Sequence, residues 1–125
     1  MGNDLTEFGT MSLGKLIDAL ESQEMAASVY FDFGGLVPLR CASYRGYYDH
    51  LALSFGTGRQ NIADILTVLR AADGATFQGY KGGDYTMSRE TPIWVAQPGD
   101  WTSTAIVSVY GDRDIVYIVT QHVNK

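Results

Sequence analysis

Apolar positions along this chain change period several times, and each change marks an element. Met11, Leu13, Leu16, Ile17 and Leu20 recur three and four apart, with Lys15, Asp18 and Glu21 on the other side. That spacing predicts an amphipathic helix over residues 11–22, capped by Thr10 or Ser12. From Ser28 the period falls to two: Val29, Phe31 and Phe33 alternate with Ser28, Tyr30 and Asp32, as in a strand with one buried face. Gly34-Gly35 ends it, and Pro38 holds residue 37 extended. Residues 39–44 and 50–55 read as two more strands, an antiparallel pair turning near Gly46. The helical period returns at Ile62, Ile65, Leu66 and Leu69. Asn61 and Asp64 form a capping box before it and Gly74 closes it, which predicts a helix over 61–73.

Beyond this helix only strands and turns follow. Residues 75–78, 84–87 and 91–96 are short candidates, with Pro92 expected at a strand edge. Gly79 to Gly83 holds three glycines and reads as a loop, and Gln97-Pro98-Gly99-Asp100 as a turn. Residues 105–110 and 115–121 are rich in β-branched side chains and joined by Gly111-Asp112-Arg113-Asp114 as a hairpin. The expected fold is α+β: a mostly antiparallel sheet of six to seven strands with two helices packed on one face. Residues 1–10 are expected to be a flexible tail, and residues 11–125 a single domain.

Composition narrows the function classes. Hydrophobic residues make up 46% of the 125 residues and charged residues 18%, a globular balance. The net charge of −5 argues against a general nucleic-acid binder, which shows a basic surface, but leaves room for a pocket with one or two cations. One cysteine, Cys41, excludes a disulfide framework within the chain and favours a reducing, cytoplasmic setting. The first residues lack the basic and apolar regions of a secretory signal, and no apolar run reaches the roughly 18 residues of a membrane span. No membrane partner and no cofactor are expected.

The chemistry concentrates in two stretches. The first is Ser43-Tyr44-Arg45-Gly46-Tyr47-Tyr48-Asp49-His50, and the second is Gln78-Gly79-Tyr80-Lys81-Gly82-Gly83-Asp84-Tyr85. Together they hold five of the eight tyrosines. Arg45 suits a phosphate or carboxylate with its planar fork, and Lys81 adds a compact charge. Tyr44, Tyr47, Tyr48, Tyr80 and Tyr85 offer flat faces and hydroxyls. Gly46, Gly82 and Gly83 let backbone amides approach a ligand. Asp49 and Asp84 could accept from a ribose or a base amine, and Ser43 completes the candidate set. The competing reading is structural: Tyr44 and Tyr48 pack on the sheet while Arg45 and Asp49 pair at the surface. The second stretch is neither a phosphate-binding P-loop nor a dinucleotide fingerprint, since its spacing differs from both. Catalysis has less behind it. Cys41 with His50 is conceivable as nucleophile and base, but nothing in the sequence activates the thiol, and a buried structural cysteine is the expectation. One cysteine and two widely spaced histidines argue against zinc. Trp94 is expected half-buried in a strand and Trp101 exposed.

These two motifs, with Leu13-Gly14-Lys15-Leu16-Ile17-Asp18-Ala19-Leu20 and Thr91-Pro92-Ile93-Trp94-Val95-Ala96, resemble a family of small, uncharacterised bacteriophage-encoded proteins. The resemblance spans about residues 11–110 and carries no assigned activity. A phage setting implies counter-defence, and one class of such proteins, the sponges, sequesters nucleotide immune signals of cyclic nucleotide or cyclic ADP-ribose type without cleaving them. On that expectation the chain is a ligand-binding homo-oligomer in the host cytoplasm. A protein-interaction inhibitor of a host defence protein and a small nucleotide-processing enzyme using Asp49, His50 or Asp84 are the alternatives.

Overall fold

A computed structural model describes residues 5–44, 47–79, 82–96 and 102–124. The elements run α1 (Leu13–Glu21), β1 (Ser28–Phe31), β2 (Val37–Tyr44), β3 (Tyr47–Gly56), α2 (Ile62–Ala72), β4 (Thr76–Gln78), β5 (Asp84–Thr86), β6 (Ile93–Val95), β7 (Thr102–Asp112) and β8 (Ile115–Asn124). Both helices start as their sequences dictate. The Ser12 hydroxyl accepts from the Lys15 amide at 3.2 Å, and Asn61 and Asp64 close a reciprocal capping box, at 2.8 and 3.2 Å. Gly74, just past α2, has φ +82°, the left-handed geometry a C-terminal cap demands.

The fold is α+β. Six strands form one sheet in the order β1-β8-β7-β6-β3-β2, and β4 and β5 form a separate hairpin. The sheet is mixed. Three neighbouring pairs are antiparallel, while β1 runs parallel to β8 and β3 parallel to β6. Both helices lie on one face, where Leu13, Leu16, Leu20, Ile65, Leu66 and Leu69 meet Val29, Phe31, Leu51, Leu53, Ile93 and Ile118 in one buried core. A second, smaller cluster of Tyr44, Ala52, Trp94 and Ala105 lies on the opposite face. The sheet curves far enough round the helices for its edges to approach. The Phe31 amide donates to Leu36 just ahead of β2, the Val29 amide donates to Gln60, and the Gln60 side chain donates to the carbonyl of Pro38. The outer edge of β1 is thereby covered, which removes a template for aggregation.

One expectation needs correction. Residues 5–10 are not a loose tail: the Thr6 amide and hydroxyl both donate to the Thr10 carbonyl, and Leu5 bridges Met11. Thr10 is fully buried. The reason lies in the gap that opens between β6 and β7 beyond Trp94 and Ala105. The backbone of Met11 fills it, accepting from the Ile93 amide at 3.0 Å and donating to Ile106 at 2.8 Å. Pro92 stands at the edge of a strand, as expected, immediately before Ile93. It leads into β6, an interior strand, where its carbonyl accepts from Leu51 and its missing N–H costs no ladder bond in the stretch β6 itself occupies.

Candidate functional site

The first motif occupies the end of β2 and the start of β3. The second occupies the hairpin of β4 and β5. The two hairpins are neighbours, with β4 beside β2 and β5 beside β3. Arg45, Gly46, Tyr80 and Lys81 lie outside the described residues, as does the expected turn at 97–100 with Trp101. Tyr47 and Tyr48 belong to β3 by their backbone.

Tyr44 does not offer a face to a ligand. It is 1% exposed, its ring stacks on Trp94 with centroids 5.5 Å apart, and its hydroxyl donates to Ser103 at 2.9 Å. It is a core residue of the sheet's second face, as the structural reading of the motif held. Tyr85 is half-buried and packs against the main core. Its ring lies over the Gly83 backbone so closely that a Cβ at 83 would stand 3.2 Å from the tyrosine oxygen. Gly82 has φ +91°, and its amide donates to Gly79, whose own amide donates to Gly83. Gly82 is favoured by its left-handed backbone, while a side chain at 83 would need the Tyr85 ring to give by a few tenths of an ångström. Asp49, Asp84, Gly82 and Gly83 are exposed, and Ser43 is partly buried.

The conceivable cysteine–histidine pair is ruled out by strand parity. Cys41 pairs with Leu53 and packs on the helix side, whereas His50 shares the opposite face with Trp94. Burial pushes the Cys41 thiol up to about 12, which leaves it protonated and a poor nucleophile. His50 is 4% exposed and accepts from Trp94 Nε1 at its Nδ1, 3.0 Å away, while Phe8 meets its ring edge-on at 4.7 Å. That bond assigns the proton of the neutral ring to Nε2. Burial lowers the His50 pKa, and the Asp49 carboxylate pulls the other way. The ring is a satisfied core acceptor. Trp94, expected half-buried, is 3% exposed.

Sequence reasoning missed a different aromatic group. Tyr30 of β1 is the register partner of Tyr117 of β8, and Tyr117 is the partner of Tyr110 of β7. The three form one row across adjacent strands, on the face away from the helices. They line an open cavity of about 670 Å³ together with Asp32, Phe33, Gly34, Gly35 and Val119. The pairing of Tyr110 with Tyr117 was not visible in the sequence: a hairpin turning over 111–114 would set 110 against 115, whereas β7 continues to Asp112 and the turn is only Arg113-Asp114. Tyr30 was on the outward side of its alternation, but its parallel pairing with β8 has no local signal.

Comparison with protein-family models, with curated proteins and with solved structures returns no match.

Proposed function

We propose that this protein binds and withholds a small nucleotide-type ligand without cleaving it, at the loops joining β2 to β3 and β4 to β5. In this reading Arg45 and Lys81 contact phosphate, Asp49 and Asp84 accept from ribose or base, and the side-chain-free backbone at Gly82 and Gly83 lets the ligand approach closely. The setting is bacteriophage counter-defence in the host cytoplasm. The ligand is an immune signal of cyclic nucleotide or cyclic ADP-ribose type, and the binder is a homo-oligomer.

The observation that carries the reading is the adjacency of the two hairpins. Stretches more than thirty residues apart, each with a cation, an acid, tyrosines and glycine, belong to strands packed side by side. A binding role is favoured over turnover because the histidine and the cysteine of β2 and β3 are both engaged or shielded. His50 is held neutral as an acceptor, and the Cys41 thiol stays protonated.

The test is mass spectrometry of the small molecules released by heat from protein purified out of cells with an active nucleotide-signalling defence. The expected result is an intact nucleotide near one per site, lost in Arg45→Ala and Lys81→Ala variants that keep the wild-type circular dichroism. A chemically converted nucleotide would assign an enzyme instead. An empty fraction with a stoichiometric host protein in its place would assign the inhibitor reading.

A further inference from the structure

We propose that the open cavity lined by Tyr30, Tyr117 and Tyr110, on the sheet face away from the helices, is a second binding site, separate from the hairpin loops. It takes a small organic cation, an ammonium or guanidinium group on a compact apolar body.

The shape comes first. Register places the three tyrosines side by side on adjacent strands, whose backbones run about 5 Å apart. All three line the same cavity. That cavity, about 670 Å³, is of the size that encloses a small molecule. Tyr110 is 59% exposed, the most exposed of the large hydrophobic side chains among the described residues. Gly34 and Gly35, both with positive φ, form one wall without side chains.

Charge then selects the ligand. The described lining residues include no lysine or arginine. They do include Asp32, whose carboxylate is held in place by the Thr120 amide at 3.1 Å and the Thr120 hydroxyl at 2.6 Å. At the other end of the row, Asp112 pairs with the lining residue Ile115 and shares the side of β7 that carries Tyr110. Arg113 in the turn is flanked by Asp112 and Asp114, so acids outnumber it there. Carboxylates thus mark both ends of a tyrosine surface. Ring faces and carboxylates both attract a cation, and both repel phosphate. The net charge of −5 adds a long-range pull of the same sign. A strand added to the edge of β1 is a poorer occupant, because Gln60 and Leu36 already use that edge.

Choline and its neutral isostere 3,3-dimethylbutan-1-ol separate charge from shape. Each is titrated into the full chain while the tyrosine ring signals are followed by NMR. Choline is expected to shift the Tyr30, Tyr110 and Tyr117 rings and to bind about tenfold tighter than the alcohol. Tyr110→Leu should weaken choline by a similar factor. Asp112→Asn should weaken choline and leave the alcohol unchanged. Both variants alter exposed positions, so the fold is retained and a loss reads on binding. Equal affinity for choline and the alcohol would overturn the proposal. So would the absence of ring shifts at high millimolar choline, or shifts of the same three rings by adenosine monophosphate in preference to choline.

Discussion

Thr10 offers a stringent test of how the sheet is closed. Its hydroxyl is fully buried, donates to the Ile93 carbonyl at 2.6 Å and accepts from the Ile106 amide at 2.8 Å. One side chain therefore bridges β6 and β7 where their own ladder has parted. Thr10→Val keeps the shape and removes both bonds. Each buried group left without its partner costs about 1–3 kcal/mol. The methyl that replaces the hydroxyl returns about 1 kcal/mol of apolar burial. The net expectation is a loss of about 1–5 kcal/mol, centred near 3, a large share of the 5–15 kcal/mol typical of a domain. Thr10→Ser makes the opposite change, keeping the hydroxyl and losing a methyl at about 1 kcal/mol. Urea unfolding followed by far-UV circular dichroism measures both, and an unchanged denaturant slope shows that the same transition is compared. A wedge held by hydrophobicity alone would make valine the milder change. Thr10→Val as stable as Thr10→Ser, or more so, would refute the bridging role.

Three further outcomes are expected. Asn61→Ala should destabilise by about 1 kcal/mol through loss of the capping box, measured by the same urea midpoint, with Asn61→Asp close to wild type. Tyr44→Phe should cost about 1 kcal/mol by removing the bond to buried Ser103, without altering the Trp94 environment in near-UV circular dichroism. His50 has a folded-state pKa below its unfolded value. On acidification below about 6.5 the unfolded chain gains a proton that the folded chain resists, so stability falls as pH drops through that window and is level above it. Urea midpoints between pH 7.5 and 5 check this, and His50→Gln should flatten the slope.

What was legible in the sequence was local. Helix periods, both caps and the outward side of each long strand follow from contacts within a few residues, and Ser12, Asn61 and Gly74 sit where their chemistry requires. What was not legible was partnership. Alternation says that Val29 and Phe31 face the core, but not that β1 lies parallel to β8, because that register joins residues 28–31 to 115–118. The wedge of Thr10 to Ser12 was hidden for the same reason, since its partners are Pro92, Ile93 and Ile106. At the candidate site, composition located the two hairpins but could not separate a tyrosine that meets solvent from one that meets the core. Tyr44 keeps the alternation of β2 and is buried because distant residues, Trp94 and Ser103, cover that face.

The parallel seam between β1 and β8 also sets an order of events during synthesis. Residues 28–31 leave the ribosome long before residues 115–118 exist to receive them, and Met11 waits for both Ile93 and Ile106. The first helix and β1, with Leu13, Leu16, Leu20, Val29 and Phe31, must hold their apolar surface uncovered until nearly the whole chain has been translated. Closure of the sheet therefore waits until residues 115–118 have emerged, and nascent chains that stop short of them are the species most exposed to aggregation and proteolysis.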